Sequence, residues 1–179
     1  MRSLLFVPGD DERKIAKALA SDADALILDL EDAVAPGRKE AARAVTAGAL
    51  SAARTSKKLF VRVNALDTGL TLDDLGAVMG VGPFGIVLPK CRGGDDARLL
   101  GHHLSAIEAR RSMAPGSTRI LAIASAYDDL TGGDPAASGS ALAVLRRDRR
   151  FAGDVRAVMA FERVLRDAAA APSVSPTAP

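Results

Sequence analysis

Hydrophobic and polar positions alternate in blocks along the first two thirds of the chain. Apolar runs at Leu4-Leu-Phe-Val7, Ala25-Leu-Ile-Leu28, Leu59-Phe-Val61, Gly85-Ile-Val-Leu88 and Ile120-Leu-Ala-Ile-Ala124 are short and rich in branched residues. Runs of this kind read as buried strands, here over 4–7, 25–31, 58–64, 84–90 and 119–125. Between them lie segments of helical composition: residues 12–20, capped by Asp10 or Asp11, an Ala-rich stretch over 38–54, then 71–79 and 95–111. Pro8-Gly9, Ala35-Pro-Gly37, Gly80-Val-Gly-Pro83, Gly93-Gly94 and Pro115-Gly116 punctuate them. Strand and helix alternating at about 30-residue spacing predicts a chain of βαβ units forming a parallel sheet, with every strand ending on one face.

The rhythm stops after Ser125. Residues 126–140 read as loop, 141–150 as a helix with a solvated Arg146-Arg-Asp-Arg-Arg150 face, and 154–171 as a helix striped by Val155, Val158, Met159 and Leu165. The Pro/Ser/Ala segment 172–179 reads as a disordered tail. The expected organisation is therefore a βα domain over 1–125, a divergent loop-and-helix segment over 126–171 that covers it, and the tail.

Composition narrows the function classes. With 48% hydrophobic residues but only 3% aromatic ones and no Trp, the core must be aliphatic, and the composition argues against a base-stacking surface. The 24 basic and 22 acidic residues leave +2, which predicts neither nucleic-acid nor membrane binding. A single cysteine, Cys91, precludes an internal disulfide and suits a reducing cytoplasm. The apolar run after Met1-Arg-Ser3 is too short for a signal peptide, and none approaches membrane-spanning length. The expectation is a soluble cytoplasmic protein. No dinucleotide fingerprint or phosphate-binding Gly-Lys-Ser/Thr loop is present.

The candidate chemistry sits at the strand tips. They carry Pro8-Gly9-Asp10, then Asp29, Glu31 and Asp32, then Arg62 and Asn64, then Lys90. Polar tips on bland strands mark an active-site face built from successive βα loops. The acids are suited to a hard cation such as Mg²⁺. Arg62 is suited to grip a carboxylate through two parallel hydrogen bonds, and Lys90 to stabilise an enolate oxygen. Plainer roles exist: Asp29 and Asp32 capping the next helix, and Arg62 and Lys90 simply neutralising the acids. His102-His103 reads as a surface pair and Cys91 as a small buried residue.

Four motifs in series then make a resemblance specific: Met1-Arg-Ser-Leu-Leu-Phe-Val-Pro-Gly-Asp10 with Glu12-Arg-Lys14, Leu28-Asp-Leu-Glu-Asp-Ala-Val34, Val61-Arg-Val-Asn64 and Val87-Leu-Pro-Lys90. Over residues 1–124 the chain resembles the N-terminal half of the citrate lyase β-subunit/malyl-CoA lyase family, the HpcH/HpaI-type aldolases. The resemblance implies a (β/α)₈ TIM-type barrel and a Mg²⁺-dependent carbon–carbon lyase. Its substrate would be a 3-hydroxyacyl thioester of coenzyme A or an acyl carrier, such as malyl-, citramalyl- or citryl-CoA. It also implies a homo-oligomer. Carried across, Arg62 would bind the substrate carboxylate, with Asp29 and Asp32 beside the metal-bound water and Lys90 supporting the site. Glu31 would brace the tip, Arg13 and Lys14 would meet the coenzyme A phosphates, and Pro8, Gly9, Asp10 and Asn64 would line the substrate.

The chain also departs from the family pattern. A metal-binding Glu is expected in a pattern like Ile-Ala-Thr-Glu-Thr, but Ile123-Ala-Ser-Ala-Tyr127 places Ala126 there, and the second metal Asp has no counterpart. No metal ligand is therefore certain; Asp128 and Asp129 are the acids nearest to the gap. A complete barrel takes about 250 residues, and only five strands are readable, so the expected fold is a barrel truncated to about five βα units. Two alternatives stand beside the lyase: a non-catalytic remnant or acyl-CoA-binding module lacking the metal site, and an open doubly wound α/β domain binding a phosphorylated ligand.

Overall fold

A computed structural model describes residues 3–124. Five strands and four helices alternate: β1 (Leu4–Pro8), α1 (Glu12–Leu19), β2 (Ala25–Asp29), α2 (Lys39–Ala52), β3 (Lys58–Arg62), α3 (Thr71–Val78), β4 (Gly85–Cys91), α4 (Gly94–Arg110) and β5 (Arg119–Ala124). Short 3₁₀ turns at Pro36–Arg38, Leu66–Thr68 and Met79–Val81 complete the connections. Asp11 caps α1, its side chain accepting from the amides of Arg13 and Lys14. Neither Asp29 nor Asp32 caps α2, whose first turn is entered through the Pro36–Arg38 turn. The capping role is thus corrected: Pro36 and Gly37 separate the acids from the helix start.

The sheet is parallel throughout, in the order β1-β2-β3-β4-β5. Each helix touches the next one, α1 to α2 to α3 to α4, so the helices form one layer on one side of the sheet. A doubly wound domain reverses strand order and puts helices on both faces. The open doubly wound alternative is therefore not the fold; sequential strands with one helical layer are the wall of a barrel.

Two apolar layers hold the wall together. Between sheet and helices, Leu26, Leu28, Leu30, Val61, Val63, Ile86 and Leu88 meet Ile15, Ala42, Leu75, Leu100 and Leu104. Burying each such side chain stabilises by about 1.5–3 kcal/mol. On the concave face, Ala25, Ile27, Phe60 and Val87 form a smaller cluster. All five positions of β2 are buried, the expected consequence of a strand with neighbours on both sides and cover on both faces. Along edge strand β1, Leu5 and Phe6 remain exposed. Among the described residues no helix is long and apolar enough to cross a membrane.

The expected segments 126–171 and 172–179, with Ala126, Asp128 and Asp129, lie outside the described residues.

Candidate active site

Parallel register brings the polar tips together. Pro8 stands opposite Asp29, and Asp29 opposite Arg62. Because side chains alternate along a strand, Asp29 and Arg62 share one face. They form a two-pronged pair: Arg62 Nε donates to Asp29 Oδ1 at 2.7 Å and Nη2 to Oδ2 at 2.6 Å. The Asp29 carboxylate also accepts from the amides of Glu31 (2.8 Å) and Ala33 (3.0 Å). Burial pushes the Asp29 carboxyl up. The guanidinium and the two amides outweigh that and hold it below the usual carboxylate range. Phe6, from β1, lies under the Arg62 guanidinium with its ring centroid 4.9 Å away.

Arg62 reaches further, with Nη1 3.1 Å from Glu31 Oε2 and 3.6 Å from Asp32 Oδ2. Lys90 closes the other side, its Nζ 3.1 Å from Glu31 Oε1 and 3.7 Å from Asp32 Oδ1. Glu31 is buried, and its two oxygens make charge contacts without an aligned hydrogen bond. Lys90 is 61% exposed and Asp32 65%. The Glu31 contact, followed by the Asp32 charge, raises the Lys90 ammonium above its ordinary value. Lys90 takes a left-handed backbone (φ 49°) where β4 loses register with β5, between Leu88 and Cys91. A bulge with a strained residue re-aims a side chain, here across the mouth of the wall.

The remaining predicted residues divide. Gly9 donates its amide to Asp29 O (2.8 Å) and accepts from Thr46 Oγ1 (3.1 Å), joining the β1 tip to β2 and α2. Asp10 pairs with Arg38 Nε at 2.8 Å. Arg13 and Lys14 are exposed in the first turn of α1, Lys14 lying 3.4 Å from Asp11. Asn64 is buried and faces inward: its Nδ2 donates to Leu30 O (3.0 Å) and Asp74 Oδ2 (2.8 Å). Asp74, fully buried, also accepts from Asn64 N and from Arg43 Nε, each at 2.7 Å. Lys39 Nζ donates to Leu30 O and Glu31 O, both at 2.6 Å. Sequence reasoning missed Phe6, Lys39, Arg43 and Asp74. Lys39 and Arg43 lie four residues apart on one face of α2, but Lys39 turns to the β2 tip and Arg43 to Asp73 and Asp74 of α3.

The pattern of the HpcH/HpaI aldolase/citrate lyase family matches residues 2–126. The chain belongs to this family. Citrate lyase subunit beta of Haemophilus influenzae is 35% identical over 122 residues, covering 68% of this chain and 42% of that protein. The Escherichia coli K12 subunit is 38% identical, covering 68% and 40%. A (3S)-malyl-CoA thioesterase of Cereibacter sphaeroides is 40% identical over 98 residues, covering 54% and 34%. Among solved structures, the citrate lyase β subunit of Mycobacterium tuberculosis with oxaloacetate and magnesium aligns with TM-score 0.52 at 28% identity, over 79% of this chain and 53% of that one. Protein CitE of that organism with magnesium, acetoacetate and coenzyme A aligns with TM-score 0.52 at 30% identity, over 68% and 38%. This family member thus spans about two fifths of the length of the curated relatives it matches.

Those magnesium complexes raise the question of whether the same ion fits here. Among the described residues no group of three or more His, Cys, Asp or Glu side chains is arranged to hold a metal. Asp29, Glu31 and Asp32 each face Arg62, and two of them also face Lys90. A hard cation takes oxygen ligands that are free to turn toward it. The described carboxylates do not supply such a set by themselves.

Proposed function

We propose that this chain carries the substrate-gripping part of a Mg²⁺-dependent carbon–carbon lyase acting on a 3-hydroxyacyl thioester, of the malyl-, citramalyl- or citryl-CoA class. The observation that carries the reading is the array Asp29–Arg62–Glu31–Lys90–Asp32, gathered from three successive strand tips. Such cleavage breaks the bond between the carbinol carbon and the thioester α-carbon. The carbinol loses its proton and becomes a carbonyl, the bonding electrons pass to the thioester as an enolate, and the α-carbon then takes up a proton. Arg62, its two-pronged edge taken by Asp29, meets the substrate carboxylate through Nη1, where that carboxylate displaces Glu31 and Asp32. Lys90 is the exposed cation placed to stabilise the enolate oxygen. Asp32, half out in solvent, is the acid free to exchange protons with water, while Glu31 balances both cations. Arg13 and Lys14 meet the phosphates of the thioester arm. No step is assigned to the metal, whose ligands the described residues do not supply. In this reading copies of the chain associate, β1 and β5 being the sheet edges among the described residues.

A second reading, a thioester-binding module without chemistry, is favoured by one observation: Ala126 stands where the family pattern expects its metal-binding Glu. Both are tested by incubating the purified chain with malyl-CoA or citramalyl-CoA, with and without Mg²⁺, and following acetyl-CoA. Mg²⁺-dependent release supports the lyase. Calorimetric binding of the thioester without release supports the module, and the lack of both removes both readings.

A further inference from the structure

Strand β2 is gripped at each end by a lysine that reaches from elsewhere in the chain onto two carbonyl oxygens. At its entry, Lys57 Nζ donates to Ser21 O (2.6 Å) and Ala23 O (2.8 Å). At its exit, Lys39 Nζ donates to Leu30 O and Glu31 O, both at 2.6 Å. In an extended strand successive carbonyls point to opposite sides. Those of Leu30 and Glu31 converge on one ammonium, so the chain has left the strand path there. That turn directs Glu31 and Asp32 at Arg62 and Lys90 rather than continuing the alternation of β2. Asn64 Nδ2 shares the Leu30 carbonyl, and Asp74 holds Asn64 in place.

From this we infer that Lys39 is a positioning residue for the acidic tip, its ammonium fixing the two peptide planes from which the Glu31 and Asp32 carboxylates project. Lys57 makes the same kind of bonds at the opposite end of β2, away from the acids, and is the internal control. Burial lowers the Lys39 ammonium below its ordinary value, and the charges of Asp74, Asp29, Glu31 and Asp32 partly offset this. The acids it orients thus offset part of what burial takes from its charge. The inference rests on the proposed function only for what the oriented tip does; the orientation itself has a ligand-free test.

The experiment compares Lys39→Met, Lys39→Arg and Lys57→Met with the unaltered full chain. The first measurement is amide hydrogen exchange at residues 30–33 without ligand. Lys39→Met should speed exchange there by about tenfold, the scale of one lost charge-assisted hydrogen bond, while Lys57→Met leaves these amides unchanged. Lys39→Arg should restore protection to within about threefold, since a guanidinium also donates to carbonyls. Equal exchange at 30–33 in Lys39→Met and the unaltered chain, or equal acceleration in Lys57→Met, overturns the inference. The second measurement is calorimetric binding of oxaloacetate. Lys39→Met should bind about tenfold more weakly and Lys57→Met like the unaltered chain. If the unaltered chain does not bind oxaloacetate, the anion-binding part of the proposed function fails while the exchange result still decides the role of Lys39. If it binds and Lys39→Met binds equally well, the positioning role fails.

Discussion

Buried carboxylates occur at both ends of the sheet, and side-chain cations meet them at one end only. At the end where strands begin, Glu108 of α4 accepts from the amides of Gly116 (2.7 Å) and Thr118 (2.9 Å) and from Ser117 Oγ (3.3 Å), clipping the loop into β5. At the end where strands finish, Asp29 adds the Arg62 guanidinium to its two amides, and Glu31 faces that guanidinium and the Lys90 ammonium, cations carried on side chains. Backbone donors are fixed once the loop is folded, so the Glu108 arrangement has one state. Side-chain cations on torsions can exchange partners, and Lys90 in particular is already out in solvent. The first design closes a loop; the second leaves charge that an incoming anion can claim. In the proposed reading the same fold devotes one rim to stability and the other to chemistry.

The comparison is broken most severely at Arg62. Arg62→Ala strands Asp29 and Glu31 without their shared cation, and stability should drop by about 3–5 kcal/mol, the cost of opening a buried ion pair from one side. Oxaloacetate binding should vanish with it. Urea unfolding and calorimetry check the two effects, and unchanged affinity would remove Arg62 from the proposed grip. At the opposite rim, Glu108→Ala leaves two amides without their acceptor and should cost about 2–4 kcal/mol, with oxaloacetate affinity retained. A variant that lost both would show that the rims are not independent.

Acid sharpens the contrast next. Burial raises the Glu108 carboxyl, but the Thr118 and Gly116 amides together outweigh it, and the folded value lies below the ordinary 4.5. The Asp29 carboxyl lies below its ordinary 3.8 for the reasons given above. A carboxyl whose folded pKa is depressed contributes stability that is complete above its unfolded value and is lost as pH falls through its folded one. Thermal midpoints should therefore begin to fall as pH drops past 4.5, where Glu108 starts to take up protons on unfolding, and more steeply below 3.8, where Asp29 joins. In Glu108→Gln the first part of that decline should disappear and the second remain. The smallest effect is expected at Lys90. Lys90→Gly relieves the left-handed backbone and should raise stability by at most about 1 kcal/mol, while weakening oxaloacetate binding. A loss of stability instead would mean that the Glu31 contact outweighs the strain.

Much of this was legible from the residues in order. Aliphatic runs of strand length marked all five strands to within two residues, because the middles of β2 to β4 are apolar and buried and charge enters only toward their ends. Strand order also followed, since βα units of this spacing place consecutive strands side by side. The tips were found because charge at the end of an apolar run is conspicuous. Lys39, Arg43 and Asp74 were not, because each lies on a helix where a charged residue normally faces water. Nothing along the chain says that Asp74 is fully buried or that Lys39 folds back onto carbonyls eight and nine residues earlier. The partner of Asp10, Arg38, lies 28 residues away, and such a distance carries no periodic signal.

Gly9 sets a boundary on how this rim can be redesigned. A β-carbon there would stand 2.6 Å from Thr46 Oγ1, 2.7 Å from Asp29 O and 3.0 Å from Leu30 Cδ2, two of them atoms that cannot swing aside without moving β2 or its core. Position 9 is thus closed to every other amino acid, while Arg13 and Lys14, exposed in the first turn of α1, leave room for other side chains. Libraries aimed at new thioester arms should spare Gly9 and randomise Arg13 and Lys14: the β1 tip is frozen, and diversity must come from its flank.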